Sequence, residues 1–132
     1  MTIAIDTNVL VRAAARDDAD QTGRAARLLR NEESIAVPVH ALCEFVWVMR
    51  QGYKMPSGEI AESIRSLIDS ANIITNASMV EAGLKLLENG GDFADGVIAY
   101  EGRWLGADEF VSFDKQAVTL LRSQGHKARL LS

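Results

Sequence analysis

The sequence predicts an α/β fold with a mainly parallel central sheet, and three observations carry that prediction. Short apolar runs alternate with longer segments of helical period along the whole chain. Several of those short runs lead directly into an acidic residue or a helix start, as in Ile3-Ala4-Ile5-Asp6 and Phe110-Val111-Ser112-Phe113-Asp114. The chain has 132 residues with 48% hydrophobic content and no repeat or linker-like tract. That is the size of one domain, spanning 1–132, with apolar material enough for a core.

The elements follow in order. Thr2 to Asp6 reads as a central strand, and Asn8 is placed to cap a short helix through Val9, Leu10, Val11 and Ala13. Asp17, Asp18 and Asp20 make the polar break and acidic first turn of a second helix, with Ala25, Leu28 and Leu29 at helical spacing. Ile35-Ala36-Val37 is a second strand, ended by Pro38. From His40, the positions Leu42, Phe45, Val46 and Met49 mark an amphipathic helix that stops near Gly52. Ser57 is expected to cap the next helix, whose buried stripe is Ile60, Ile64, Leu67 and Ile68.

Asn72 to Thr75 is a third strand, and Asn76 or Ser78 caps a helix through Val80, Leu84 and Leu87, broken at Asn89-Gly90-Gly91. Asp92-Phe93-Ala94-Asp95 opens a helix with apolar positions Val97, Ile98, Tyr100 and Trp104, closed by Gly106. Phe110 to Phe113 reads as a buried strand, followed by a helix through Ala117, Val118, Leu120 and Leu121 that Gly125 closes. Lys127 to Leu131 adds a last strand, placed at an edge by its charges. Phe45, Phe93, Tyr100, Phe110 and Phe113 are assigned to packing, and Trp47 lies beside the apolar face of its helix. Such alternation gives a parallel sheet covered by helices on both faces.

Composition narrows the function. The single cysteine, Cys43, lies in an apolar run and reads as an inert core thiol, and no secretory leader opens the chain, so a reducing, cytoplasmic setting is expected. No apolar run reaches the roughly eighteen residues of a membrane span. The net charge of -4 argues against a nucleic-acid ligand only on average, because an enzyme that holds divalent cations carries acids the metal neutralises. Arg12, Arg16, Arg24, Arg27 and Arg30 crowd the first thirty residues, where they offer a phosphate-contacting stripe or else a solvated helix face.

In a parallel sheet, strand C-termini and helix N-termini share one edge, where ligands bind. Asp6, Glu44, Asp95 and Asp114 are all predicted to fall there. Each has an ordinary alternative: Asp6 and Asp114 make good helix caps, Glu44 sits off the centre of its apolar stripe, and Asp92 with Asp95 resembles a cap and its partner. Asp92 is the better cap and Asp95 the better ligand, and four acids on one edge exceed what capping explains. Grouped carboxylates raise each other's energy unless a cation lies among them. The set suits Mg2+, with Mn2+ equally compatible, whereas zinc is disfavoured because His40 and His126 are the only histidines and no CxxC pair exists. On a phosphodiester, Asp6, Asp95 and Asp114 would hold metal for hydrolysis while Glu44 completes the site or positions water as a general base. Asn8 can orient Asp6 or touch phosphate, and His40 is a helix-start residue or a substrate contact.

These segments resemble the PIN-domain family, specifically VapC-type toxin ribonucleases of toxin-antitoxin pairs. The likeness covers nearly the whole chain: Ile5-Asp6-Thr7-Asn8-Val9-Leu10, Glu44 within Leu42 to Met49, Asp92-Phe93-Ala94-Asp95, and Val111-Ser112-Phe113-Asp114. It implies a three-layer α/β/α PIN-like fold and Mg2+- or Mn2+-dependent endonucleolytic cleavage of RNA. Thr7, Asn8, Ser112 and Asp92 are implied as supporting residues. It also implies a VapB-like antitoxin that contacts DNA itself, and a homodimer, for which the exposed apolar sides of helices 41–49 and 60–68 are the surfaces to inspect, although core packing explains the same residues. Two departures are mild: Gly96 stands where alanine is commoner and Ser112 where threonine is commoner. The competing classes are another phosphohydrolase, which would want a second acid where Thr7 and Asn8 stand, a phosphate-accepting receiver-like domain, and a PIN-like binding module without activity. No motif identifies the RNA target.

Overall fold

The computed structural model describes residues 1–132, which form two compact units, Met1–Asn76 and Ala77–Ser132. In both, strands pair in parallel and the intervening chain is helical, so the expected α/β class with a mainly parallel sheet flanked by helices is what forms. The hydrogen-bonded ladder lies in two sections, β1-β2-β3 and β4-β5, rather than the single run expected. No helix is long and apolar enough to cross a membrane.

The first unit contains β1 (Thr2–Ala4), α1 (Thr7–Ala15), α2 (Ala19–Asn31), β2 (Ser34–Ala36), α3 (Val39–Gln51), α4 (Ser57–Ile68) and β3 (Ile73–Ile74). β2 is its central strand, with Ile35 registered against both Ile3 and Ile73. Polar side chains stitch the helix and strand ends. Asn72 donates from Nδ2 to the carbonyls of Leu29 and Glu32 at 2.9 and 3.0 Å, satisfying the end of α2, and Thr22 donates to the Arg12 carbonyl in the last turn of α1 at 2.9 Å. Leu42, Phe45, Val46 and Met49 of α3 and Ile60, Ala61 and Ile64 of α4 are buried within the chain. Core packing, the alternative reading of these stripes, accounts for these residues, and Trp47, 66% exposed, is the large apolar residue α3 turns outward.

Helix starts differ from expectation in a consistent way. Asp6 caps α1, so Asn8 lies inside the helix, and Pro56 occupies the cap position of α4 without a side-chain bond, so Ser57 is its first helical residue. α5 starts directly after Asn76, so of the two residues expected at its start Ser78 falls inside the helix. A residue with a capping side chain serves only when its own backbone stays extended, and Asp6 and Pro56 hold that conformation two residues and one residue earlier, respectively, in α1 and α4.

The second unit contains α5 (Ala77–Leu87), α6 (Phe93–Trp104), β4 (Phe110–Ser112), α7 (Lys115–Ser123) and β5 (Ala128–Leu130). Leu86, Ala99, Val118, Leu121 and Ala128 form one apolar cluster, with Phe110 and Leu120 packed on it. Phe93 is fully buried, but Phe113 is exposed, contrary to the packing role assigned to it, and so are Ile98 and Trp104 among the apolar positions of α6. β4 ends at Ser112, so Phe113 belongs to the turn, and α6 turns Val97 and Ala99 inward in place of Ile98.

α5 and α6 pack through glycine. A Cβ on Gly96 would lie 2.3 Å from the Ala82 carbonyl oxygen, and one on Gly83 would lie 2.6 Å from the Phe93 ring. Gly96, read from sequence as a mild weakness in α6, is thus the residue that lets α6 close on α5.

Candidate active site

In the first unit, the β1–α1 turn presents Asp6 as the cap of α1, with Oδ1 accepting a hydrogen bond from the Val9 amide at 3.2 Å. Asp6 is exposed and its second oxygen lies outside that bond. The next residue, Thr7, engages a second candidate acid. Its hydroxyl donates to Glu44 Oε2 at 3.1 Å, linking the first residue of α1 to the middle of α3. The other Glu44 oxygen faces His40 Nε2 at 3.1 Å, one turn earlier on the same helix. Glu44 is therefore held on both sides. The His40–Glu44 spacing of four was legible as a helical pair; the Thr7 contact spans 37 residues of sequence and was not.

In the second unit, Asp92 caps α6 through a 3.2 Å bond from the Ala94 amide, the capping role expected of it, and Asp95 stands in the first turn of that helix. Asp114 caps α7, accepting from the amides of Gln116 and Ala117 at 2.9 and 3.1 Å. Its own amide donates to the Ser112 hydroxyl at 2.9 Å, so Ser112 shapes the turn that carries the acid. Gln116 also donates to the Gly90 carbonyl at 2.7 Å, tying this turn to the loop before α6.

Asp95 is half-buried in the first turn of α6. Burial, then the negative charges of Asp92 and Asp114, push its carboxyl from 3.8 up to about 6. Three acids of the second unit thus share one electrostatic neighbourhood.

The arginines do not form the single stripe anticipated. Arg12 pairs with Asp17 at 3.4 Å and Arg24 with Asp20 at 3.2 Å, and both line a groove with Asn8 and Gln21. Arg16 and Arg30 line a different cavity of about 610 Å3, together with Leu10 and Phe45. Arg27 lays its guanidinium against Gly23. The helical period sends residues at spacings of three or four to one face and the remainder to another.

The family model for the PIN domain matches residues 3–120. The chain belongs to the PIN-domain family. Its match spans every acid described above, as well as the turns that carry them. A search of curated proteins found no match.

As its side chains stand, this PIN domain has no group of three or more His, Cys, Asp or Glu residues arranged to hold a metal ion. The chemistry of the donor set nonetheless fits a hard divalent cation. The candidate ligands are carboxylates, Asp6 and Asp114 spend a single oxygen each on capping, and Asp95 is the group whose ionisation is most disfavoured without a positive charge nearby.

Proposed function

We propose that this PIN domain is a metal-dependent endoribonuclease, the VapC-type toxin of a toxin-antitoxin pair, with Asp6, Glu44, Asp95 and Asp114 as the carboxylates of its active site. The observation that carries the reading is Asp95: a half-buried carboxyl in the first turn of α6, grouped with Asp92 and Asp114 and raised to about 6, is a setting that a divalent cation would relieve. Membership of the PIN-domain family over residues 3–120 supports a nuclease-type module.

Asp6, Asp95 and Asp114 would hold Mg2+ or Mn2+, and Glu44 would complete the set. The ion, when bound, supplies neutralisation of phosphate charge and eases deprotonation of water. The residues of the chain do the rest. Glu44, steadied by Thr7 and His40, orients the attacking water and accepts its proton. The water oxygen forms a bond to phosphorus, the bond to one ester oxygen breaks, and a proton returns to that oxygen as it leaves. Asp92 and Ser112 keep the α6 and α7 turns in place. A VapB-like antitoxin would inhibit the enzyme and carry any DNA contact, and the toxin would act as a homodimer; both proposals rest on the VapC resemblance.

The test is cleavage of a mixed cellular RNA pool by purified, antitoxin-free protein, with Mg2+, with Mn2+ and with chelator, beside the Asp6→Asn variant. Fragments that need metal and vanish in the variant are expected. Absence of cleavage by folded, metal-loaded protein, against both total RNA and isolated transfer RNA, would favour a binding module.

A further inference from the structure

A groove of about 530 Å3 runs between α1 and α2 in the first unit. Its apolar lining includes the half-buried Val9 and Leu28, and its polar lining is Asn8, Arg12, Gln21 and Arg24. We propose that this groove is a nucleotide subsite that holds an unpaired residue of single-stranded RNA beside the scissile phosphate. The proposal rests on the ribonuclease reading and deepens it by naming the residues that read the substrate.

The volume lies within the roughly 300–1,000 Å3 of small-ligand sites. A nucleobase has two apolar faces and a polar edge, and the lining matches that division. Val9 and Leu28 offer surface to a base face. Asn8 and Gln21 carry primary amides, each with donors and an acceptor, the groups suited to a base edge. Arg12 and Arg24 bring planar guanidinium groups for phosphate or for stacking.

The rows also start in the right place. Asn8 and Arg12 are four apart on α1, and Gln21 and Arg24 three apart on α2, so each pair lies along one helix face. The α1 row begins two residues after Asp6, the cap of that helix. The groove thus lies on the helix that Asp6 caps.

The arginines differ in how firmly they are held. Arg12 Nη1 meets Asp17 Oδ1 at 3.4 Å, and Asp17 Oδ2 accepts the Tyr53 hydroxyl at 2.8 Å, so that guanidinium is anchored with most of its donors still available. Arg24 pairs with Asp20 in an exposed contact, 74% and 69% accessible, which is weak and readily exchanged for a phosphate. An acidic peptide would use the two cations but leave the two amides without a purpose, which favours RNA.

The experiment is fluorescence anisotropy of short fluorescein-labelled single-stranded RNAs with the intact chain in chelator, where binding is read without cleavage. The double variant R12Q/R24Q should bind about tenfold or more weakly. Its slope of log affinity against log salt should be shallower by about 1.4, two phosphate contacts at about 0.7 each for single strands. R24Q alone, at an exposed position, should lose about half of that slope, and it decides the matter if the double variant unfolds. Gln21→Ala should change the ranking of the four homopolymers without changing the slope. Wild-type and variant proteins with equal affinity and slope, in a protein that does cleave RNA, would overturn the subsite alone. No RNA binding by the wild type would overturn the subsite, while the ribonuclease reading stands or falls on the metal-dependent cleavage assay. Tight binding of a polyglutamate peptide in place of RNA would give the groove to an acidic protein segment and overturn the proposal.

Discussion

Gly96 of α6 lies against Gly83 of α5 so closely that a Cβ on the first would sit 2.9 Å from the Cα of the second. The same Cβ would meet the Ala82 carbonyl oxygen at 2.3 Å, a clash with backbone that no side-chain rotation relieves. The contact seats the first turn of α6, and with it Asp95.

Gly96→Ala tests the contact. In a free helix the change would stabilise by up to about 1 kcal/mol; here overpacking opposes it at a cost of about 1–3 kcal/mol. The expected outcome is net destabilisation, read as a lower urea midpoint. An unchanged or higher midpoint would mean that α5 and α6 can part without loss.

Asp95 makes stability depend on pH with a sign opposite to that of a salt-bridged acid. Its folded carboxyl titrates near 6 against 3.8 in the unfolded chain, so between these values the folded state binds more protons. This contribution is complete below pH 3.8 and is lost as pH rises to about 6. Because the group is half-exposed, solvent screening reduces the effect to the order of 1 kcal/mol. Urea midpoints of metal-free protein across that window should fall more steeply for the wild type than for Asp95→Asn, and identical profiles would remove Asp95 as their source.

A divalent cation competes with that proton. Thermal stabilisation by Mg2+ should therefore grow as pH rises through about 6 and should shrink in Asp95→Asn. Stabilisation that is the same in both proteins would place the ion elsewhere.

Asp114 separates capping from charge. Asparagine caps as well as aspartate, whereas alanine loses about 1 kcal/mol. Asp114→Asn should keep the unfolding midpoint of the wild type and lose RNA cleavage, while Asp114→Ala should lose both. Full activity in the asparagine variant would make Asp114 a cap only.

Thr7→Val removes one of the two contacts on Glu44. Outer contacts of this kind change metal affinity or activity by about 10–100-fold. The fold should hold, since the bond is exposed. Metal titration followed by circular dichroism measures both, and wild-type metal affinity would show that His40 suffices to orient Glu44.

The elements themselves were legible because their causes are local. Period-two and period-3.6 patterns, Asp18 and Asp92 as caps, and glycines such as Gly106 and Gly125, which sit at positive φ, each act within a few residues. The caps misplaced at Asn8 and Ser57 failed because a capping side chain counts only where the backbone is extended, and the neighbours Asp6 and Pro56 already held that geometry.

What the sequence by itself determined was the α/β alternation, the family-bearing motifs and the identity of the acids, all properties of residue type and short spacing. Tertiary structure alone decided that Thr7 serves Glu44, that Gly96 is required for helix contact, that Phe113, Ile98 and Trp104 face outward, and that Asp95 holds its proton to about 6. Each of these depends on which surfaces and charges meet across distant stretches of chain, and burial, close approach and electrostatic coupling exist only once those stretches are packed together.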